Sequence, residues 1–153
     1  MGIIILLFVI IAAAGLYYIS TPHVDDLSQD ISYGHHVIYD IDSQEEYDYY
    51  SYAIKAHLSG FKDYTDYKVD ANFTDSRGNV LAQDSHVFSL SSSEDGKDFY
   101  LVQYESKNKK LDVDCCDIDI FDMNGNRLAN EHYKFNVSDM HYAGTSETII
   151  DIS

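Results

Sequence analysis

Hydrophobic and polar residues alternate along most of the chain. Ile54, Ala56 and Leu58 share one parity, while Lys55 and His57 lie between them. Successive side chains of a β-strand point to opposite faces, so this period of two predicts half-buried strands rather than helices. Similar segments predict further strands at 36–41, 69–74, 133–137 and 147–152.

The number of these segments sets the fold class. With the unbroken apolar run at 99–102, which favours a central strand, the chain holds about eight predicted strands. We therefore predict an all-β protein, an immunoglobulin-like antiparallel β-sandwich. The 14 tyrosines agree with this, because Tyr favours strands.

The N-terminus breaks the alternation. No side chain between Met1 and Ile19 is charged. A helix of this length spans about 28 Å, close to the thickness of a bilayer core, so residues 1–20 predict a transmembrane anchor. Tyr17 and Tyr18 would then lie at the membrane interface. A cleaved signal peptide is the alternative, because the alanines at 12–14 form a small-residue cleavage pattern.

Charge after the anchor predicts the topology. Pro22 ends the helix, and the polar segment 21–33 predicts a tether, which leaves 34–153 as the sandwich domain. The first basic side chain is Lys55, and acidic residues flank the helix on its C-terminal side. The positive-inside rule therefore favours a single-pass protein of the cell membrane whose C-terminal domain lies outside the cytoplasm.

The overall charge limits the partners. The chain has 26 Asp and Glu against 10 Lys and Arg, for a formal net charge of −16. Such a field repels nucleic acids and anionic lipid headgroups, which excludes both as partners. The expected partners are the membrane, through the N-terminal helix, and other proteins of the cell envelope.

Two stretches of the chain repeat one hairpin pattern. Each has a strand, an Asp-x-x-Gly-Asn turn and a second strand, and the turns begin at Asp75 and Asp122. Gly78 and Gly125 would supply the positive φ that a type I turn followed by a G1 bulge requires. Two similar hairpins among short strands favour a sandwich.

The second hairpin also carries a family resemblance. The run Ile118-Asp-Ile-Phe-Asp122 before Asn-Gly resembles the Phe-x-Leu-Tyr-Asp signature of the FxLYD domains, small immunoglobulin-like modules of bacterial and archaeal surface proteins. Ile118 stands for the signature Phe, and Phe121 stands for the Tyr. The first hairpin keeps only Asp75 and its spacing to Gly78. The resemblance implies a membrane-tethered, outward-facing sandwich without catalytic residues.

Two sequons are candidate modification sites. Asn72-Phe-Thr74 and Asn136-Val-Ser138 are N-glycosylation acceptors if the domain is outside the cytoplasm. Both asparagines fall on the solvent parity of their predicted strands. We expect at least one to be modified.

The only two cysteines are adjacent. Cys115 and Cys116 lack CxxC spacing and a nearby His, which argues against zinc binding or redox catalysis. The parity of apolar residues slips by one at this point, from Val113 to Ile118. We therefore predict a β-bulge that turns both thiols inward, where they stay buried and reduced.

An acidic cluster surrounds the cysteines. Carboxylates are the oxygen ligands that calcium prefers, but the spacing fails the EF-hand pattern, and aspartates that alternate along a strand usually form one solvated face. The candidate calcium ligands are Asp112, Asp114, Asp117, Asp119 and Asp122. No catalytic triad, phosphate-binding glycine loop or distinct pair of carboxylates appears, so we predict no cofactor and no enzyme activity.

Three classes of function remain open. The favoured one is a membrane-anchored surface module that binds or spaces other envelope components. The first alternative is a pilin-like filament subunit with a hydrophobic N-terminal helix and a β-sandwich head, although the apolar run contains no acidic residue to set a filament register. The second alternative is a metal-dependent enzyme or a calcium-binding domain.

Overall fold

A computed structural model of the chain describes residues 21–91 and 98–150, and these residues form eight strands and no α-helix. One short 3-10 turn lies at Val137–Asp139, before the last strand. The strands are β1 His23–Asp40, β2 Ser43–Ser59, β3 Tyr67–Thr74, β4 Val80–Phe88, β5 Asp98–Lys107, β6 Cys115–Asp122, β7 Arg127–Lys134 and β8 His141–Ile149.

The strands form two four-stranded sheets that pack as a β-sandwich. One sheet has the order β5-β2-β1-β8, and the other has the order β4-β3-β6-β7. All pairs are antiparallel except β1 and β8, which run parallel. The core between the sheets holds Tyr52, Phe73, Leu101 and Ile118, each 0% exposed. The all-β class is therefore confirmed, while the parallel pair departs from a wholly antiparallel sandwich.

The predicted anchor at 1–20 lies outside the described residues. Within the described part of the chain, no helix has both the length and the apolarity to cross a membrane.

The predicted tether at 21–33 is wrong, because β1 begins at His23 and continues without interruption to Asp40. Ile31, in the middle of this segment, is 2% exposed and belongs to the core cluster. A β-bulge at Asp26, where φ is +44°, shifts the pairing with β2 and hides the alternation. The sandwich therefore starts at the N-terminal end of the described chain.

The sheet β4-β3-β6-β7 is built from the two repeated hairpins. β3 pairs with β6 so that Ala71 lies opposite Ile118, which is the equivalent position of the second hairpin. The two hairpins are consequently related by a pseudo-twofold axis through this pair. Gly78 and Gly125 have φ of +84° and +85°, as the turn chemistry predicted.

The predicted bulge at Cys115-Cys116 is wrong. β6 begins at Cys115, and its pairing with β3 keeps one register, with Cys116 opposite Phe73. The parity slips there because residues 111–114 precede the strand and are not part of it. Side chains therefore alternate normally from Cys115 onward.

A bulge occurs instead in β5, an edge strand. Leu101 is the extra residue between the pairs Ile54–Val102 and Lys55–Tyr100, and both Leu101 and Val102 are buried as a result. The unbroken apolar run 99–102 thus reflects a bulge in an edge strand, and the prediction of a central strand is wrong.

One sheet extends past the other. The core cluster on β1 and β2 reaches no further than Ile31 and Tyr52, yet both strands continue. We call this extension the overhang: residues 33–40 of β1, 43–50 of β2 and 142–149 of β8. Gly34 lets its strands approach closely, since a Cβ there would lie 2.6 Å from the Gly144 carbonyl oxygen and 2.7 Å from the Tyr49 hydroxyl.

Candidate binding surface

One face of the overhang continues the core-facing side of its sheet. No second sheet among the described residues covers this face. Its register places Tyr33 beside Tyr50 and Tyr142, and Tyr39 beside Gln44 and Ile149. Apart from buried Val37, these side chains are half-buried or exposed. The overhang face consists of Tyr33, His35, Val37, Tyr39, Gln44, Glu46, Asp48, Tyr50, Tyr142, Thr145, Glu147 and Ile149.

Three tyrosine rings form a cluster at the root of this face. Tyr33 stacks on Tyr50 with ring centroids 6.3 Å apart, and Tyr33 contacts Tyr142 at 5.3 Å. Tyr142 is 60% exposed and Tyr33 is 41% exposed. Exposed, mutually supported aromatic rings are enriched at interfaces, because they offer apolar area and a hydroxyl at low entropic cost.

The root of the overhang is also concave. A hollow of about 370 Å³ is bordered by Tyr33, Tyr50 and Thr145. A second hollow of about 360 Å³ shares both tyrosines and reaches Lys110 and Val137. The two hollows adjoin, so an elongated ligand could contact the tyrosines and the end of the sandwich together.

One histidine on the overhang face lies between two carboxylates. His35 Nδ1 is 3.0 Å from Asp48 Oδ1, and its Nε2 is 3.3 Å from Glu46 Oε2. The hydrogen bond to Asp48 is the largest cause that raises the pKa of His35, and Glu46 adds to it. Protonation of His35 would therefore neutralise part of the negative charge of this face.

The opposite side of the overhang is polar. His36 Nδ1 lies 2.5 Å from Ser146 Oγ, and its Nε2 lies 3.1 Å from Thr148 Oγ1. Its ring also contacts the Tyr47 ring at 5.4 Å. A hollow of about 400 Å³ on this side is lined by Ser, His, Tyr, Gln and Glu side chains. A hydroxyl bonded to an exposed imidazole resembles a nucleophile and base, but no carboxylate is within contact distance of His36 among the described residues, so the arrangement lacks the group that orients a catalytic imidazole.

The five calcium candidates do not converge on one site. Asp117 bonds to His132, and Asp119 accepts from Asn130 Nδ2 at 2.8 Å. Asp114 lies within 3.2 Å of the Cys115 thiol, and Asp112, Asp114 and Asp75 border one hollow of about 300 Å³ at the end of the sandwich. No three His, Cys, Asp or Glu side chains in the described segments are grouped to hold a metal ion.

The fifth candidate, Asp122, organises a turn. Its Oδ1 accepts from the Asn124 and Asn126 backbone N–H groups, each at 2.9 Å, and its Oδ2 accepts from Asn126 Nδ2 at 2.8 Å. Asp75 makes the equivalent contacts in the first hairpin. The side-chain hydrogen bond from the Asn four residues later is the largest cause that lowers the pKa of each aspartate. The role of Asp122 is therefore structural.

The two cysteines differ in environment. Cys116 is buried in the core, while Cys115 is half-buried on the other face of β6. Both are free thiols in this structure. Burial raises the pKa of Cys116 to about 12, because the interior disfavours a thiolate.

The two sequons are also unequal. Asn72 is half-buried in the central strand β3, where its Oδ1 accepts a hydrogen bond from Gln83 Nε2 at 2.7 Å. Thr74 of the same sequon is buried. Asn136 is exposed, in the segment that follows β7. Asn136 is therefore the more accessible acceptor.

Comparisons with known proteins leave the family open. No protein-family model matches the chain, and no curated protein matches its sequence. The start of the overhang was not predicted, because Tyr33 belongs to the polar segment 21–33 that was expected to be a tether. The signal that extends the predicted strand 36–41 back to Ile31 is the odd-numbered series Ile31, Tyr33, Val37 and Tyr39, which continues the core parity.

Proposed function

We propose that this chain is a membrane-anchored, outward-facing β-sandwich module that binds other components of the cell envelope. The observation that carries the proposal is the overhang, a sheet face of exposed tyrosines and carboxylates. The strands β1 and β2 are long enough to carry this face beyond the sandwich core. Exposed aromatic area rimmed by polar groups is the usual composition of an interaction surface.

The direction of β1 supports an anchored arrangement. The apolar run ends at Ile19, four residues before β1 begins at His23. β1 ends at Asp40, at the tip of the overhang, and a strand of this length spans about 56 Å at ~3.3 Å per residue. A membrane anchor at the N-terminus would therefore hold the tip of the overhang away from the bilayer.

The strand order supports an immunoglobulin-like sandwich. β1, β2 and β5 are neighbours in the order of immunoglobulin strands A, B and E. β4, β3, β6 and β7 follow the order of strands C′, C, F and G. β8 is an addition to this plan, which pairs in parallel with β1 and widens the overhang.

The topology is testable with cells that express the chain with a C-terminal epitope tag. We expect protease added to intact spheroplasts to remove the tag and to leave an N-terminal fragment in the membrane. A cytoplasmic protein is the control, because it must survive until the cells are lysed. Protection of the tag in intact spheroplasts would reverse the proposed orientation.

Electron microscopy of the detergent-extracted protein separates a module from a filament subunit. We expect single particles. Filaments would favour the pilin-like alternative.

The same orientation makes Asn136 a proposed glycosylation site. We expect Asn136→Gln to increase the electrophoretic mobility of the mature protein, and Asn72→Gln to leave it unchanged, because Asn72 and Thr74 are less accessible. A shift with Asn72→Gln alone would contradict this choice of site.

A further inference from the structure

We propose that the overhang binds an extended, Lys- or Arg-rich polypeptide segment, which adds to the free edge of β8 as a new strand. This inference rests on the proposed binding role and specifies the class of partner and the way in which it docks. Three features of the molecule support this mode of binding: the unpaired edge of β8, the negative charge of the overhang and its exposed tyrosine rings.

The edge of β8 is available along its second half. β8 ends the sheet order, and no described residue pairs with its outer side. The Ile150 N–H donates to the Tyr39 carbonyl at 2.8 Å and therefore points toward β1. Successive N–H groups of a strand point to opposite sides, so those of Glu147 and Ile149 point to the free side of β8. Unpaired N–H and C=O groups in a row are the template for adding a strand.

Three of the four sheet edges are regular over at least five residues. β8 has its irregularity near its start, between Tyr142 and Thr145, and residues 145–149 pair one to one with residues 35–39. β4 and β7 have their extra residues at Leu81 and Leu128, the second residue of each strand, and pair one to one after them. β5 is interrupted in mid-strand at Leu101, which disfavours regular pairing.

Charge distinguishes β8 from the other two regular edges. Lys68 lies beside β4, and β7 itself contains Arg127 and Lys134, whereas the overhang segments contain neither Lys nor Arg.

Charge indicates what the new strand carries. The overhang segments of the three strands contain carboxylates and neither Lys nor Arg. These carboxylates are Asp40, Glu45, Glu46, Asp48 and Glu147, and Asp42 lies in the turn between β1 and β2. A positive segment gains from this field, and electrostatic complementarity speeds encounter and selects the partner.

The tyrosine rings suit cationic side chains in the same way. Tyr142 is exposed on β8 itself, and Tyr33 lies beside it on the overhang face. The molecule already uses this contact internally, because Lys107 Nζ lies 4.3 Å from the Tyr47 ring centroid. Alternate residues of an added strand would point to this face, so Lys or Arg at every second position could contact both rings and carboxylates.

The same observations disfavour two other occupants. A second copy of the chain would bring two acidic overhangs together, and each copy has a formal net charge of −16. A neutral glycan could stack on the tyrosines but would leave the backbone groups of β8 and the carboxylates without charged or strand-like partners. A basic polypeptide satisfies all three features.

Fluorescence anisotropy with the full chain in detergent micelles tests the proposal. The probe is a labelled decapeptide of alternating Lys and Thr, and its control is the matching peptide of alternating Glu and Thr. We expect the Lys peptide to bind and the Glu peptide not to bind. Binding should weaken as salt rises from about 0.05 to about 0.5 M, because screening shortens the range of surface charge. Equal binding of both peptides would overturn the proposal.

A pair of substitutions at Glu147 separates strand addition from charge alone. Glu147→Gln removes only the carboxylate, and we expect it to weaken binding about threefold. Glu147→Pro also removes an N–H group that points to the free side of β8. The hydrogen bonds between β8 and β1 do not use this group, so they remain. We expect Glu147→Pro to weaken peptide binding more than about tenfold. Glu131→Gln on β7 is the matched control for net charge and should bind like the parent chain.

Two results would overturn strand addition. One is equal affinity of Glu147→Gln and Glu147→Pro, provided that both variants melt at the temperature of the parent chain. The other is a different occupant of the overhang. This would be seen as salt-insensitive binding of neutral oligosaccharides, or as self-association of the chain, that persists in the Glu147→Pro variant. The protease test of topology is independent of this assay, so a cytoplasmic domain would disprove the proposed location without deciding whether the peptide binds.

Discussion

The sheet β4-β3-β6-β7 and the overhang of the other sheet are made of similar strands, but they differ in what covers them. In the first, Phe73, Ile118 and Ile120 pack against the opposite sheet and are each 0% exposed. In the second, Tyr33 and Tyr142 continue the same side of a sheet and face solvent. The same alternation of side chains therefore stabilises the fold in one region and presents a surface in the other.

The turns of the two regions differ as well. Both hairpins of the sheet β4-β3-β6-β7 use the Asp-x-x-Gly-Asn turn, and Asp75 and Asp122 accept equivalent sets of hydrogen bonds. The β1–β2 turn at the tip of the overhang lacks this motif and exposes Ile41, whose side chain is 67% exposed. Local turn chemistry specifies the first region, whereas the overhang depends on its attachment to the sandwich through β1 and β2.

The largest expected effect comes from cutting β1, which places Ile31 against the sheet β4-β3-β6-β7 and then continues into the overhang. A chain that begins at residue 34 loses Ile31 from the core and half of an inner strand, whereas a chain that begins at Thr21 keeps all of β1. We expect the shorter chain to lose cooperative unfolding and the longer one to keep it. Circular dichroism during thermal unfolding measures this. Equal melting of both chains would restore the idea that 21–33 is a tether.

A pair of aromatic truncations should separate the two regions next. Phe73 is 0% exposed and packs near the rings of Phe135 and Tyr104, at 6.3 and 5.9 Å between centroids. Phe73→Ala should lower the free energy of unfolding by roughly 3–5 kcal/mol, because it leaves a cavity. Tyr142→Ala on the overhang should change it by no more than about 0.5 kcal/mol. Urea unfolding of both variants checks the contrast, and equal losses would contradict it.

Acid should weaken the hairpin sheet through its two turns. The pKa of Asp75 and that of Asp122 lie below the ordinary value of 3.8, chiefly because of the side-chain hydrogen bonds from Asn79 and Asn126. A carboxyl whose folded pKa is lowered stabilises the fold above its unfolded pKa and loses that contribution as pH falls through the folded pKa. We expect the loss below about pH 3.8.

Asp75→Asn and Asp122→Asn test this acid effect. Each should reduce the fall in melting temperature between about pH 5 and about pH 2.5, and the two reductions should be similar because the turns are equivalent. Glu131→Gln, at a site outside the turns, is the control. A reduction with only one of the two Asn variants would show that the turns are not equivalent in solution.

The contrast between the hairpin sheet and the overhang also explains which features of the fold the sequence predicted. The all-β class and the twin turns were predicted because burial on one face leaves a period of two and positive φ requires Gly at 78 and 125. The start of β1 was missed because the Asp26 bulge breaks the period and the outer face of that strand is solvated. Parity could have predicted the strands of the overhang, but not that their face is uncovered, because a covered and an uncovered sheet face have the same parity and differ only in tertiary packing.

The smallest expected effect concerns calcium, for which the two acidic regions should behave alike. On β6 and its turn, Asp117 bonds to His132, Asp119 to Asn130, and Asp122 to its own turn. On the overhang, Glu46 and Asp48 flank His35. No three carboxylates of the described residues are grouped to hold an ion in either region, so neither supplies the six to eight oxygen ligands that calcium requires. Millimolar calcium chloride and sodium chloride of equal ionic strength should therefore raise the melting temperature equally, through screening of repulsion.

A calcium-specific rise of several degrees that Asp119→Asn removes would assign a metal site to β6, since specific binding stabilises the folded state by mass action. If Asp48→Asn removed the rise instead, the calcium site would belong to the overhang, and that surface would bind a metal cation.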